Sequence, residues 1–255
     1  MERFRLPGTF GAYLLLLNFF SPTAHAAAVS GQGTWESTLL ARDFDGDTST
    51  IEGWYDTVLN ITWLADANAA VGSAYDTYSP GSGLMNWTDA NAWAASLDIN
   101  GIIGWRLPET VDIDSPGCST SYTGVTGCGW NVDTSTGEMA SMFYDTLGNL
   151  AYYDTAGNGN QPGWGLTNTG PFDNLIYDAY WSATPYGYNP AFTAVFFFDF
   201  YDGDQNLTDK SYGKFAWAVH DGDVGTTTVV PVPAVVWLFA SGLFCLVGLG
   251  RQCCR

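Results

Sequence analysis

Apolar and polar positions divide the chain into three regimes. From Phe10 to Phe20, and again from Ala234 to Gly250, apolar residues run nearly without interruption, while between them the pattern alternates over short distances. Residues around 34–42 and 54–64 alternate and are rich in Trp, Tyr, Val and Thr, which predicts strands, and Asp43-Phe44-Asp45-Gly46-Asp47 predicts a turn between them. Ala90, Trp93, Ala94 and Leu97 recur at i, i+3, i+4 and i+7, so an amphipathic helix is expected over Thr88–Leu97. Ser135 and Glu138 have the spacing of a capping box ahead of Met139, Met142, Phe143 and Leu147, with Gly148 as a stop, which predicts a second helix. Strand patterns follow near 179–184, 192–201 and 213–220, separated by Gly and Asn turns. Two helices followed by a run of antiparallel strands imply an α+β fold.

The two apolar ends predict an address. Arg3 and Arg5 precede the first apolar run, and Ala24-His25-Ala26 closes it with a small-x-small pattern, so residues 1–26 read as a secretory signal peptide for signal peptidase. Its core of roughly eleven residues is well short of the ~20 that a membrane span needs. Ala234–Gly250 is uncharged, near the lower end of the spanning range, and followed by Arg251 and Arg255; a C-terminal transmembrane helix with a cytoplasmic tail is expected. Val230-Pro231-Val232-Pro233 before it resists helix and reads as extended.

Charge narrows the choice of partners. Between residues 27 and 233 the only cations are Arg42, Arg106, Lys210 and Lys214, against 25 of the 26 acids, which leaves a net −21. Such a surface repels phosphate backbones and anionic headgroups, so nucleic-acid binding is disfavoured. Two cysteines, Cys118 and Cys128, fall in this region, and in an oxidising compartment so close a pair is most simply a disulfide, with a catalytic pair as the alternative. Once the leader is removed His220 is the one histidine, which excludes a histidine-rich zinc site and obliges any Ser-His-Asp triad to use it. It ends the alternating run Ala216-Trp217-Ala218-Val219, where a strand-end surface histidine is the simpler reading.

Two resemblances add to this. The tail, with its proline motif Val230-Pro231-Val232-Pro233, a short apolar helix containing Ser241-Gly242-Leu243 and a basic end, resembles the PEP-CTERM sorting signal, although Pro-Glu-Pro is replaced. That likeness implies processing by an exosortase; a plain, unprocessed anchor is the other reading. Gly104-Trp105-Arg106-Leu107-Pro108 resembles the signature of Lcl C-terminal-like domains, and Tyr180-Trp181-Ser182-Ala183-Thr184, Phe198–Gly203 and Phe215–Val219 resemble later strands of that family in the same order. The resemblance implies a C-type-lectin-like domain, a mostly antiparallel, irregular sheet with two helices. The expected layout is then a signal peptide at 1–26, an N-terminal β elaboration at 27–55, the Lcl-like domain at 56–224, a linker at 225–233, and the sorting helix with its basic tail at 234–255.

Candidate binding residues are fewer. Arg106, set between Trp105 and Leu107, is expected to be buried and therefore paired with a carboxylate, with an anionic ligand as the alternative. Trp63, Trp93, Trp105, Trp181 and Trp217 lie in periodic segments and read as core, whereas Trp130 beside the cysteines and Trp164 in a glycine-rich loop are candidates for stacking on sugar rings. Asp43, Asp45 and Asp47, and separately Asp202 and Asp204 with Asn206 and Asp209, form oxygen-rich segments that suit calcium; both are also ordinary turn sequences. The expected function is a non-enzymatic, exported surface or matrix module for an exopolysaccharide or another envelope component, held by its C-terminal helix until sorted. The alternatives are an enzyme, related to formylglycine-generating folds or a glycosidase, and a purely structural matrix protein.

Overall fold

The computed structural model describes residues 27–113, 118–124, 126–187 and 193–227. The expected signal peptide, proline motif and C-terminal helix lie outside these residues. Among the described residues no helix is long and apolar enough to cross a membrane.

The first sheet opens with a single helical turn, α1 (Trp35–Thr38), where a strand from residue 34 was expected; the Thr34 carbonyl accepts from the N–H groups of Ser37 and Thr38, and the strand starts only at Leu39. β1 (Leu39–Asp43), β2 (Gly53–Asp56) and β3 (Ile61–Leu64) then form an antiparallel meander. The second predicted strand is thus two strands with a turn inside it. Asp56 makes that turn, its Oδ1 accepting from Val58 N at 2.9 Å and Leu59 N at 3.1 Å, and Asn60 closes it with φ 56°. The expected boundary between 55 and 56 falls inside β2.

α2 (Trp87–Ser96) matches the expected helix and buries Ala90, Trp93 and Ala94. Asn86 caps it, accepting from Asp89 N at 3.0 Å. Two short strands, β4 (Thr120–Ser121) and β5 (Cys128–Gly129), pair in parallel beside the Cys118–Cys128 disulfide. The second helix departs from expectation: a 3₁₀ turn at Thr134–Thr136, capped by Asp133, precedes a short α3 (Glu138–Ser141), which widens into a π-helical turn over Met142–Thr146. No capping box forms, because Ser135 bonds Asp133 and the Glu138 carboxylate is taken by Arg106. The apolar face is as predicted, with Met139, Met142, Phe143 and Leu147 buried.

β6 (Ala179–Pro185), β7 (Ala194–Asp199) and β8 (Asp204–Asp209) form the second meander, and β5 joins its far edge. β8 occupies a segment expected as an oxygen-rich loop; six register pairs with β7 override its polar composition. β9 (Val219–Asp221) and β10 (Thr226–Thr227) return to the first sheet, giving the orders β10-β1-β2-β3-β9 and β4-β5-β8-β7-β6. Only the end of the strand expected at 213–220 is regular; Lys214 and Phe215 instead make isolated bridges to Met85 and Tyr180. The fold is α+β with mainly antiparallel sheets and few helices.

Trp63, Trp93, Trp105, Trp181 and Trp217 are all buried. Trp217 sits at the centre of the core, 4.5 Å from Trp63 and 4.7 Å from Phe172 between ring centroids, and donates its indole N–H to the Leu64 carbonyl. The segment Gly104–Pro108 stitches the two sheets together. Arg106 exchanges both main-chain hydrogen bonds with Val219 of β9, while the Pro108 carbonyl accepts from Ala183 of β6.

Candidate functional site

Four segments place their aromatic rings side by side on the surface next to the second sheet: the disulfide-closed loop with the residues just after it, the 150–165 loop, the β7–β8 turn, and residue 177 ahead of β6. Tyr122 stacks on Trp130 at 5.4 Å with planes 16° apart, and both contact Tyr153, at 4.7 and 4.6 Å. Tyr153 meets Tyr152 at 4.8 Å, Tyr152 meets Trp164 at 4.8 Å, Trp164 meets Tyr201 at 5.3 Å, and Tyr201 meets Tyr177 at 4.8 Å. Seven rings thus form one unbroken strip. Its ends are open to solvent, with Tyr122 at 40 %, Tyr177 at 45 % and Tyr201 at 46 % exposure, while Trp130, Trp164, Tyr152 and Tyr153 are half-buried. Core aromatics bury both faces; these keep part of each ring in water, an arrangement suited to an amphipathic ligand.

Polar side chains fix the strip from below. Asn131, in the left-handed region at φ 55°, donates its amide to the carbonyls of Tyr122 and Tyr153, both at 2.9 Å. The Tyr144 hydroxyl accepts from Asn131 N at 2.9 Å and donates to the Gly203 carbonyl at 2.6 Å, which ties the Trp130 segment to the β7–β8 turn. Gln161 holds the carbonyls of Ala151 and Tyr153, and Trp164 donates to Asn160 Oδ1 at 2.9 Å. Gly159 leaves room for the rings, since a Cβ there would come to 2.7 Å of Tyr152 and 3.0 Å of Tyr153 and oblige them to shift. Tyr144 is enclosed, and burial pushes its hydroxyl pKa up, so it acts as a neutral hydrogen-bonding group.

Carboxylates border the strip. Burial raises the Asp202 pKa, and the Trp130 indole N–H lies against that carboxylate and opposes the rise without reaching hydrogen-bond geometry. Asp199 and Asp204 face each other in register across β7 and β8, and burial, reinforced by neighbouring carboxylates, pushes both up to about 6. Lys214 is the nearby cation. Its ammonium packs on Phe197, 3.8 Å from the ring centroid, and burial lowers its pKa.

The sequence singled out Trp130 and Trp164 separately, and the structure joins them through Tyr152 and Tyr153. The five tyrosines of the strip were missed. The Tyr152-Tyr153 pair among Gly, Asn and Gln was the available signal, because adjacent large rings in a loop sequence have no strand or helix face to fill.

The oxygen-rich segments resolve differently. Asp43, Asp45 and Glu52 bring ligand oxygens within 4.8 Å of one another, with Asp43 buried. Glu52 was not anticipated. Asp47 lies outside the group and accepts from Ser49 N and Oγ instead. Much of this geometry serves the turn itself: Asp43 Oδ1 accepts from Asp45 N and Gly46 N, and Glu52 Oε2 from Phe44 N. Asp202 and Asp204 join no comparable group of three among the described residues.

Arg106 makes a structural ion cluster. Its guanidinium grips both oxygens of Glu138 at 2.8 Å and reaches Asp221 at 2.7 Å. These carboxylates raise its pKa against the opposing effect of burial. Both nitrogens of His220 lie against main-chain carbonyls, those of Asp221 at 2.7 Å and Ile103 at 3.0 Å, and among the described residues no serine or aspartate side chain bonds the ring. Among the described residues a Ser-His-Asp triad has no counterpart there.

Comparison with family models, with curated proteins and with solved structures finds no match for this chain.

Proposed function

We propose that this is a non-enzymatic carbohydrate-binding module, exported and displayed at the cell surface or in the extracellular matrix, with the aromatic strip from Tyr122 to Tyr177 as its binding face. The observation that carries the reading is the strip's continuity: seven partly exposed rings from four separate segments, held in place by Asn131, Tyr144 and Gln161, form one unbroken chain of contacts. Pyranose rings offer apolar C–H faces and hydroxyl edges, and such a strip complements both along an extended chain. The likeness of the Gly104–Pro108 segment and the later strands to Lcl C-terminal-like domains, with their C-type-lectin-like fold, agrees with this reading. Export and exosortase sorting are proposed from the two apolar ends, with signal peptidase and exosortase as the processing partners. The disulfide speaks against formylglycine-type copper chemistry, which needs a free thiol pair.

The test is retention of the full chain, purified in mild detergent, on immobilised polysaccharides, with calcium and with chelator. Trp164→Ala and Tyr201→Ala are each expected to weaken retention about tenfold, the loss of ~1–2 kcal/mol of stacking. Tyr212→Ala, an exposed ring elsewhere, serves as the control. Chelator is expected to leave retention unchanged, because the Asp43 group belongs to the first sheet and the strip to the second. Equal retention by all variants removes the strip from the reading.

A further inference from the structure

We infer that the ligand of the aromatic strip is a cationic amino-sugar polymer, a chain of hexosamines with free amino groups. This inference rests on the carbohydrate reading above and adds the charge of the sugar.

The charged groups beside the strip are carboxylates. Asp202 lies against Trp130, and its main-chain carbonyl accepts from Tyr152 N at 2.8 Å, which places it under the middle of the strip. Asp199 and Asp178 stand at the Tyr201–Tyr177 end: both Asp202 and Asp199 act electrostatically on the Tyr177 hydroxyl, and Asp178 acts on Asp199. Asp154 follows Tyr153 and caps the 154–158 turn, whose Gly157 lies against the Tyr122 ring. Carboxylates therefore stand beside the strip at its middle and its Tyr177 end, with Asp154 next to Tyr153 in the chain. The one cation in the vicinity, Lys214, is seated on Phe197 and Trp181, on the face of the sheet that carries Asp199 and Asp204.

Crowding like charges on a half-buried surface is unfavourable, and Lys214 offsets only part of it: its charge acts on Asp199, Asp178 and Asp204, while Asp202 beside Trp130 has no cation acting on it among the described residues. A uronate or sulfated chain would add to that repulsion. A neutral chain would leave it unchanged. An ammonium on every sugar gains from each carboxylate in turn, and the partly exposed rings of Tyr201, Tyr177 and Tyr122 can attract the same cations through their π-clouds. The net −21 of residues 27–233 extends the attraction beyond the contact surface.

The experiment measures affinity of the full chain, in detergent near neutral pH, for three oligosaccharides of equal length: glucosamine, N-acetylglucosamine and a uronic acid. The glucosamine oligomer is expected to bind about tenfold tighter than its acetylated counterpart, from several partly screened charge contacts, and the uronate weakest. Added salt is expected to erode the difference. Asp178→Asn and Asp202→Asn are each expected to shrink the ratio of the two affinities, measured on the same variant for the free-amine and the acetylated oligomer. If the acetylated oligomer binds as tightly as the free amine, or the Asn variants keep the full preference, the inference is overturned and the carbohydrate reading stands. Retention of none of the three overturns both.

Discussion

Arg106 joins three parts of the molecule through one guanidinium. Its fork donates to Glu138 of α3 from two nitrogens and to Asp221 of β9 by two further bonds, while its main chain pairs with Val219. The Arg106 side chain is 23 % exposed and that of Glu138 17 % exposed, so their charges are only partly desolvated. Replacing Arg106 by Ala leaves Glu138 half-buried without its partner and is expected to cost about 2–3 kcal/mol, below the 3–5 of a fully enclosed pair, read as a lower urea midpoint. Arg106→Lys is expected to recover less than half, because an ammonium cannot span both oxygens of Glu138. That Arg106 would be paired was legible in the sequence, since a cation between Trp and Leu in an acidic domain has few alternatives. Its partner was not: the Ser135–Glu138 spacing matched a local helix cap, and a contact 32 residues away in sequence won over it.

At the scale of elements, the disulfide-closed loop is the part most open to test. β4 and β5 are two residues each, and their parallel pairing carries Tyr122 and Trp130 just beyond the bridge. Closing a loop of about eleven residues is worth roughly 2–3 kcal/mol through the unfolded chain. The Cys118→Ser/Cys128→Ser double variant is expected to lose about that much stability and also to weaken glycan retention, as the Tyr122 end of the strip loosens. A thermal melt and the retention assay together check this; lower stability with undiminished retention would detach the loop from the site. Legibility differed sharply between elements. α2 was visible because its apolar residues sit at helical spacing and its Asn86 cap is local. β8 was invisible because Asp-Gln-Asn-Leu-Thr-Asp has no apolar alternation, and only its register with β7 makes it a strand. The π-helical turn at Met142–Thr146 shares the apolar face of the predicted helix, so periodicity alone did not distinguish the two.

For the whole molecule, acidity sets the response to pH. Asp199 and Asp204 are pushed up to about 6 by burial, so between about pH 4 and 6 the folded chain binds more protons than the unfolded one. Their contribution to stability is full below the unfolded carboxylate range and lost as pH rises through about 6. Asp76 acts in the opposite sense. Burial would raise it, but the N–H groups of Gly72, Gly81 and Gly83 outweigh that and hold it low, so its contribution falls away only in strong acid. The melting temperature is therefore expected to climb as pH falls from about 7 to 5 and to drop again below about 4. Asp199→Asn with Asp204→Asn is expected to raise stability near pH 7.5 by about 1–2 kcal/mol and flatten the rise, within the ~1.4 kcal/mol per unit that such shifts represent; an unchanged slope would place its origin elsewhere. The sequence by itself determined the α+β class, the acidic surface, the disulfide, the buried tryptophans and the expectation of export, because composition and short-range periodicity carry those. Only the tertiary structure decided that Glu138 faces Arg106, that Glu52 joins Asp43 and Asp45, and that seven rings spread over residues 122–201 touch in one unbroken series. Each of those contacts links residues whose neighbours in the chain give no sign of the partner, and chain folding alone brings them within reach.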